Sequence, residues 1–138
     1  RQTPIGRSSL SIDEYFRQVA DLIAACAIVQ SSSVAFDKRA RHEGYFRGEL
    51  HFVDGSVLHV REFVDVENGI DRLTYVYQYV DASLLLVFRY DNTGHHKKLN
   101  LPTYPHHKHD GSEDVVIASP APDLTRVLDE IAWIVTLP

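Results

Sequence analysis

Tyr45-Phe46-Arg47-Gly48-Glu49-Leu50-His51-Phe52-Val53-Asp54-Gly55-Ser56-Val57-Leu58-His59-Val60-Arg61-Glu62-Phe63-Val64 is the stretch that decides the fold. Phe46, Gly48, Leu50 and Phe52 alternate with Arg47, Glu49 and His51, and after Asp54-Gly55-Ser56 the alternation resumes, with Leu58, Val60 and Val64 against His59 and Arg61. A period of two is the mark of half-buried strands, so the segment reads as a hairpin. A two-residue Asp54-Gly55 loop would pair Leu50 and Phe52 with the face of His59 and Arg61. A three-residue loop, Val53 to Gly55 with Gly55 left-handed, makes paired residue numbers sum to an even value and joins the apolar positions of both strands. Because a slip of one residue turns every side chain to the other face, the three-residue loop is the expected one. That register also sets Glu62 among Val60 and Val64 on the apolar face. An unpaired buried carboxylate there would cost several kcal/mol, so Glu62 should face inward with a cation beside it, and Arg89 is the expected partner.

Outward from the hairpin, Ser11-Ile12-Asp13-Glu14 reads as a capping box. Ile12, Tyr15, Phe16, Val19, Leu22, Ile23, Cys26 and Val29 follow at three- and four-residue steps. This predicts a helix over about 12–29, within a segment 11–30, ended by Ser31-Ser32-Ser33. A first strand is expected near 34–40. Downstream, Leu73, Tyr75, Tyr77 and Tyr79 alternate in a further strand. Leu84 to Tyr90 is apolar on both faces, as in a central strand. Val115 to Ile117 reads as an edge strand, and Leu124, Val127, Leu128, Ile131, Ile134 and Val135 predict a C-terminal helix within 122–137. Short connections make the strands antiparallel neighbours. The fold class expected is α+β: an antiparallel β-meander over 34–117, flanked by an N-terminal and a C-terminal helix, with a His-rich loop at 92–111. At 138 residues the chain fits a single domain.

Composition narrows the class. With 44% hydrophobic and 24% charged residues the chain is ordinarily globular. No apolar run reaches the roughly 20 residues that span a membrane, and the opening RQTPIGRSSL does not read as a signal peptide. The single cysteine, Cys26, reads as a small core residue, which suits a reducing cytoplasm. The net charge of −5 is uneven. Between Arg89 and His109, four cations (Arg89, Lys97, Lys98, Lys108) face one Asp91, so the window carries +3 and the remainder −8. The window also holds His95, His96, His106, His107 and His109, five of the eight histidines. A basic, titratable segment on an acidic body implies a localised anionic partner.

Three readings of that window compete. Metal-free RNA cleavage needs a base for the 2′-OH, an acid for the leaving oxygen and a cation for the phosphorane. His106, His107, His109, Asp91, Glu62 and Arg89 are residue types of that kind, with His95, His96, Lys97, Lys98 and Lys108 as binding groups. A metal site is the second reading, since His107 and His109 lie two apart and point the same way on an extended segment, but no HExxH pattern supports it. The third is a solvated surface loop, which spacing alone favours as much as the other two together. The tyrosine row reads better as cross-strand packing than as a base-stacking platform. Of its members, Tyr77 is retained as a binding candidate.

The series Gly44-Tyr45-Phe46-Arg47, Asp54-Gly55-Ser56, Glu62, Tyr75-Val76-Tyr77, Phe88-Arg89-Tyr90-Asp91-Asn92, His95-His96 and His106-His107-Lys108-His109 resembles the TumE family, the toxins of prokaryotic toxin–antitoxin pairs. The resemblance covers roughly residues 34 to 135, and the pairing of RYDN with a downstream HHKH is its most specific part. Thr93-Gly94 departs from it, standing where a proline is expected before the His pair. The resemblance implies a toxin with a cognate antitoxin, here expected to bind DNA. RNA as substrate is inferred from the residues and from the usual targets of small toxins. The expectation is thus a cytoplasmic, metal-independent ribonuclease with no cofactor and no membrane partner, a homodimer being among the assemblies allowed. The alternative is a metal-binding or non-enzymatic interaction protein that uses the His loop as ligand or contact surface.

Overall fold

A computed structural model describes residues 10–92, 106–111, 116–118 and 121–136. The elements run α1 (Ile12–Ala25), β1 (Val29–Lys38), β2 (Glu43–Phe52), β3 (Val57–Asp65), β4 (Asp71–Val80), β5 (Leu86–Asp91), β6 (His107–Asp110), β7 (Val116–Ala118) and α2 (Leu124–Val135). The seven strands form one antiparallel sheet in chain order, a meander without crossovers. No described helix is long and apolar enough to cross a membrane.

The hairpin register is the one that parity requires. Leu50 pairs with Leu58 and His51 with Val57, and the Phe52 N–H donates to Ser56 O at 2.9 Å across a Val53–Gly55 loop. Gly55 holds φ at +89°, where a Cβ would be strained. Phe46, Leu50, Phe52, Leu58, Val60 and Val64 consequently share one buried face, joined by Tyr75, Tyr77, Tyr79, Phe88 and Tyr90. Both helices cover this same face, and among the described residues no helix covers the other face of the sheet.

The helix ends behave differently from one another. At the start of α1 the Ser11 hydroxyl accepts the Glu14 N–H (3.1 Å) and Glu14 Oε1 accepts the Ser11 N–H (2.9 Å), completing the capping box. At its end the expected helix over 12–29 is too long. Cys26 is already extended, Val53 donates its N–H to Ile28 O, and the chain from Val29 runs as β1 through the serines that were expected to stop the helix. Apolar spacing continues through Val29, but β-branched Ile28 and Val29 give up little in leaving a helix, and the backbone gains the β2 ladder. The expected first strand at 34–40 thus begins five residues earlier. The second correction concerns 92–111, read as loop: His107–Asp110 is a strand, pairing with β5 on one side and β7 on the other.

Candidate functional site

The uncovered face is organised by register. Across it runs one row of directly opposed residues: Ala35, Arg47, Arg61, Val76, Asp91 and, at the β6 position, His107. The neighbouring row is Glu49, His59, Gln78, Arg89 and His109. The β1–β4 members of both rows, with Arg89, line a cleft of about 710 Å³ whose polar walls include Arg47, Glu49, His59, Arg61 and Arg89.

At the β5–β6 end the Arg89 Nε stands 3.0 Å from Asp91 Oδ2, and the same oxygen is 3.5 Å from His109 Nε2. Asp91 is 0% exposed, His109 3%, and the Arg89 side chain 25%. A buried carboxylate of this kind must be compensated by charge, and here it holds a guanidinium and an imidazole at once. The Arg89 group reaches the cleft, where it can meet an anion, while Asp91 fixes the imidazole behind it. Carboxylate, imidazole and guanidinium are the groups that orient a base, move a proton and stabilise a phosphorane.

A second polar assembly fills the helix-covered face. Glu62 is 1% exposed and takes hydroxyl hydrogen bonds from Tyr15 at 2.5 Å and Tyr77 at 2.6 Å. Arg72 donates to the Tyr77 oxygen at 2.9 Å and to the carbonyls of Pro122 (2.6 Å) and Ala121 (3.0 Å). Burial pushes the Glu62 carboxyl above its usual range, against the opposing pull of the two hydroxyls and Arg72. Burial and the Glu62 charge likewise hold the Tyr15 and Tyr77 hydroxyls protonated, and burial lifts Tyr75 to about 12. The Tyr75 hydroxyl lies 2.9 Å from His106 Nδ1. Lys108 reaches Glu130 of α2 at 3.4 Å, and Tyr90 donates to the same carboxylate at 2.8 Å. Burial alone would lower the Lys108 pKa, and the Tyr90 hydroxyl and Glu130 more than reverse it.

The residues singled out from the sequence therefore separate. Arg89, Asp91 and His109 come together on the face turned away from the helices, with Asp91 and His109 buried, and the His107 backbone pairs with Asp91 beside them. Glu62, Tyr77, His106 and Lys108 lie on the opposite face. Strand alternation sets Lys108 and His109 on opposite sides of the sheet. Glu62 does face inward, but the cation of its network is Arg72, and Arg89 is taken by Asp91. His95, His96, Lys97 and Lys98 lie outside the described residues. Among the described residues no three His, Cys, Asp or Glu side chains gather as metal ligands. Three residues of these two assemblies were not singled out from the sequence. Arg72 is brought opposite Val64 by an irregularity between Phe63 and Val64, which no alternation reveals. Arg47 and Arg61 were within reach, because the register that unites the apolar positions also sets them face to face.

A family model described as Toxin TumE matches residues 19–135. No curated protein and no solved structure matches the chain.

Proposed function

From the premise that this chain belongs to the TumE family and is a toxin component, we propose that it is a metal-independent ribonuclease whose site is the open face around Arg89, Asp91 and His109. The observation that carries this reading is the buried Asp91 carboxylate, 3.0 Å from a guanidinium that lines the cleft and 3.5 Å from an imidazole. In the proposed reaction the 2′-hydroxyl of RNA attacks the adjacent phosphorus, the P–O5′ bond breaks, and a 2′,3′-cyclic phosphate and a 5′-hydroxyl remain. His109, aided by His107 two positions away, moves the protons. Arg89 offsets the charge of the phosphorane. Asp91 keeps His109 and Arg89 in place. Glu62 and His106, on the far face, act through the fold. The toxin family implies an antitoxin partner. We assign that antitoxin, taken as DNA-binding and encoded beside the toxin, to the cleft, and the reaction to the cytoplasm, where the RNA is.

The test is incubation of purified protein with RNA in EDTA. Cyclic-phosphate and 5′-hydroxyl ends are expected from the wild type and not from Arg89→Gln or His109→Ala. Intact RNA with a folded wild-type protein would overturn the reading.

A further inference from the structure

Resting on the ribonuclease reading for the identity of the polymer, we propose that Arg47, Arg61, Tyr45 and Phe63 form a subsite for single-stranded RNA beside the point of cleavage. The two arginines take a non-scissile phosphate, and the two rings stack on the adjoining base.

The first observation is Arg47 directly opposite Arg61 on neighbouring strands. Like charges so placed repel each other. Among the described residues no carboxylate lies within ion-pair distance of either arginine, although Asp37, Glu43 and Asp65 share the face beside Tyr45 and Phe63, and the two carboxylates in the rows of the arginines and of Arg89 hold other groups. Glu49 holds His51 at 3.1 Å and His59 at 3.4 Å, and Asp91 holds Arg89 and His109. Two exposed guanidiniums facing each other over a cleft are suited to a shared external anion, and the planar fork of arginine matches phosphate geometry.

The second observation is one pleat further along the same face, where Tyr45 stands opposite Phe63. Both are partly exposed, whereas the other aromatic row of the sheet, Tyr75, Tyr77 and Tyr79, is buried under the helices. A cationic pair beside an aromatic pair is the combination that holds single strands, since every base has a face to stack. A duplex offers no unstacked base to these rings.

Position separates this subsite from the reacting centre. Arg61 lies on β3 and Arg89 on β5, two strand spacings or about 10 Å apart, and Val76 of β4 intervenes with no charge. A single phosphate does not bridge that gap. Phosphate contacts set position without reading sequence, so this subsite selects for a strand that extends past the cleavage point, with little preference for its bases.

The experiment measures binding of a short 2′-O-methyl oligoribonucleotide, which lacks the attacking hydroxyl, to the full chain at several salt concentrations. For wild type and His109→Ala, comparable affinities that fall with salt are expected. Arg47→Gln/Arg61→Gln should weaken binding and flatten the dependence of log K on log salt by about 0.7 for one lost phosphate contact. Tyr45→Ala should weaken it by about tenfold. A thermal melt of each variant accompanies the titration. Unchanged binding in the double arginine variant, with cleavage lost in His109→Ala, would overturn the subsite and leave the ribonuclease standing. Weakened binding in that variant, with no RNA cut by the wild type, would support the subsite and remove the ribonuclease. Equal affinity for a duplex of the same sequence would overturn the single-strand assignment.

Discussion

The Tyr77 hydroxyl donates to Glu62 Oε2 at 2.6 Å, and the Tyr77 oxygen itself accepts a hydrogen bond from Arg72 at 2.9 Å. One phenol thus carries the influence of a cation to a carboxylate that has no direct ion pair among the described residues. Through Arg72 the chain of bonds continues to the carbonyls of Ala121 and Pro122, just ahead of α2, and through Tyr15 it reaches α1. Both helices are tied to the sheet through this one buried group.

Tyr77→Phe removes the link without changing the ring. A donor is withdrawn from a buried carboxylate and an acceptor from Arg72, at a cost of about 1–3 kcal/mol. Urea denaturation should show that loss. RNA cleavage at a temperature where the variant is folded should match the wild type, because the reacting groups occupy the other face. A fall in cleavage with an unchanged melt would bring the Glu62 network into the mechanism.

Glu62 also predicts a pH dependence. Its pKa is raised by burial, so the folded chain keeps the proton at pH values where the unfolded chain, with an ordinary glutamate near about 4.3, has released it. The stability contributed is full below that value and is lost as pH rises through the folded-state pKa. The denaturation midpoint of the wild type should therefore fall relative to that of Glu62→Gln as pH is raised from about 4 toward neutrality. Parallel profiles for the two proteins would show that Glu62 titrates alike in both states.

His109→Ala and His107→Ala should both abolish toxicity. His109 is nearly fully buried, so its truncation should also cost about 1 kcal/mol or more in stability, whereas loss of a general acid or base costs about 10²–10⁴ in rate. A chain that is mostly folded cannot lose activity a hundredfold through instability alone, so growth inhibition beside a thermal melt separates the two causes. Wild-type toxicity in both variants would remove this strand from the mechanism.

Asp91→Asn leaves the Arg89 charge without its carboxylate in a mostly buried place. Breaking a buried pair this way costs about 3–5 kcal/mol, and the partial exposure of Arg89 brings the expectation to about 2 kcal/mol. Adding Arg89→Gln to it should restore part of that stability but no activity. A double variant whose loss equals the sum of the single losses would mean that the two side chains are not coupled.

The antitoxin is expected to cover the arginine cleft with acidic side chains. Its binding should weaken as salt rises, by screening of exposed charge, and should weaken further in Arg47→Gln/Arg61→Gln. Titration of the purified pair at increasing ionic strength is the measurement. An affinity indifferent to both salt and substitution would locate the interface elsewhere.

The sequence by itself determined whatever follows from period and parity. The even register of the Tyr45–Val64 hairpin, the left-handed Gly55, the inward Glu62, the Ser11–Glu14 capping box and the amphipathic α2 all rest on neighbours close along the chain. The facing of Arg47 and Arg61 belongs with them, since it is one more consequence of the same pairing. Tertiary structure alone decided the rest. It ended α1 at Ala25, because the free side of β2 offered the next residues a ladder that local helical spacing could not match. It drew His107–Asp110 into the sheet between β5 and β7, so that Lys108 and His109 took opposite faces. It gave Glu62 Arg72 in place of Arg89, through an irregular step in β3–β4 pairing that shifts a side chain from one face to the other. Charge partners of this kind are set by the distance between strands far apart in the chain, and a periodic pattern reports which face a residue takes but not which residue it meets there.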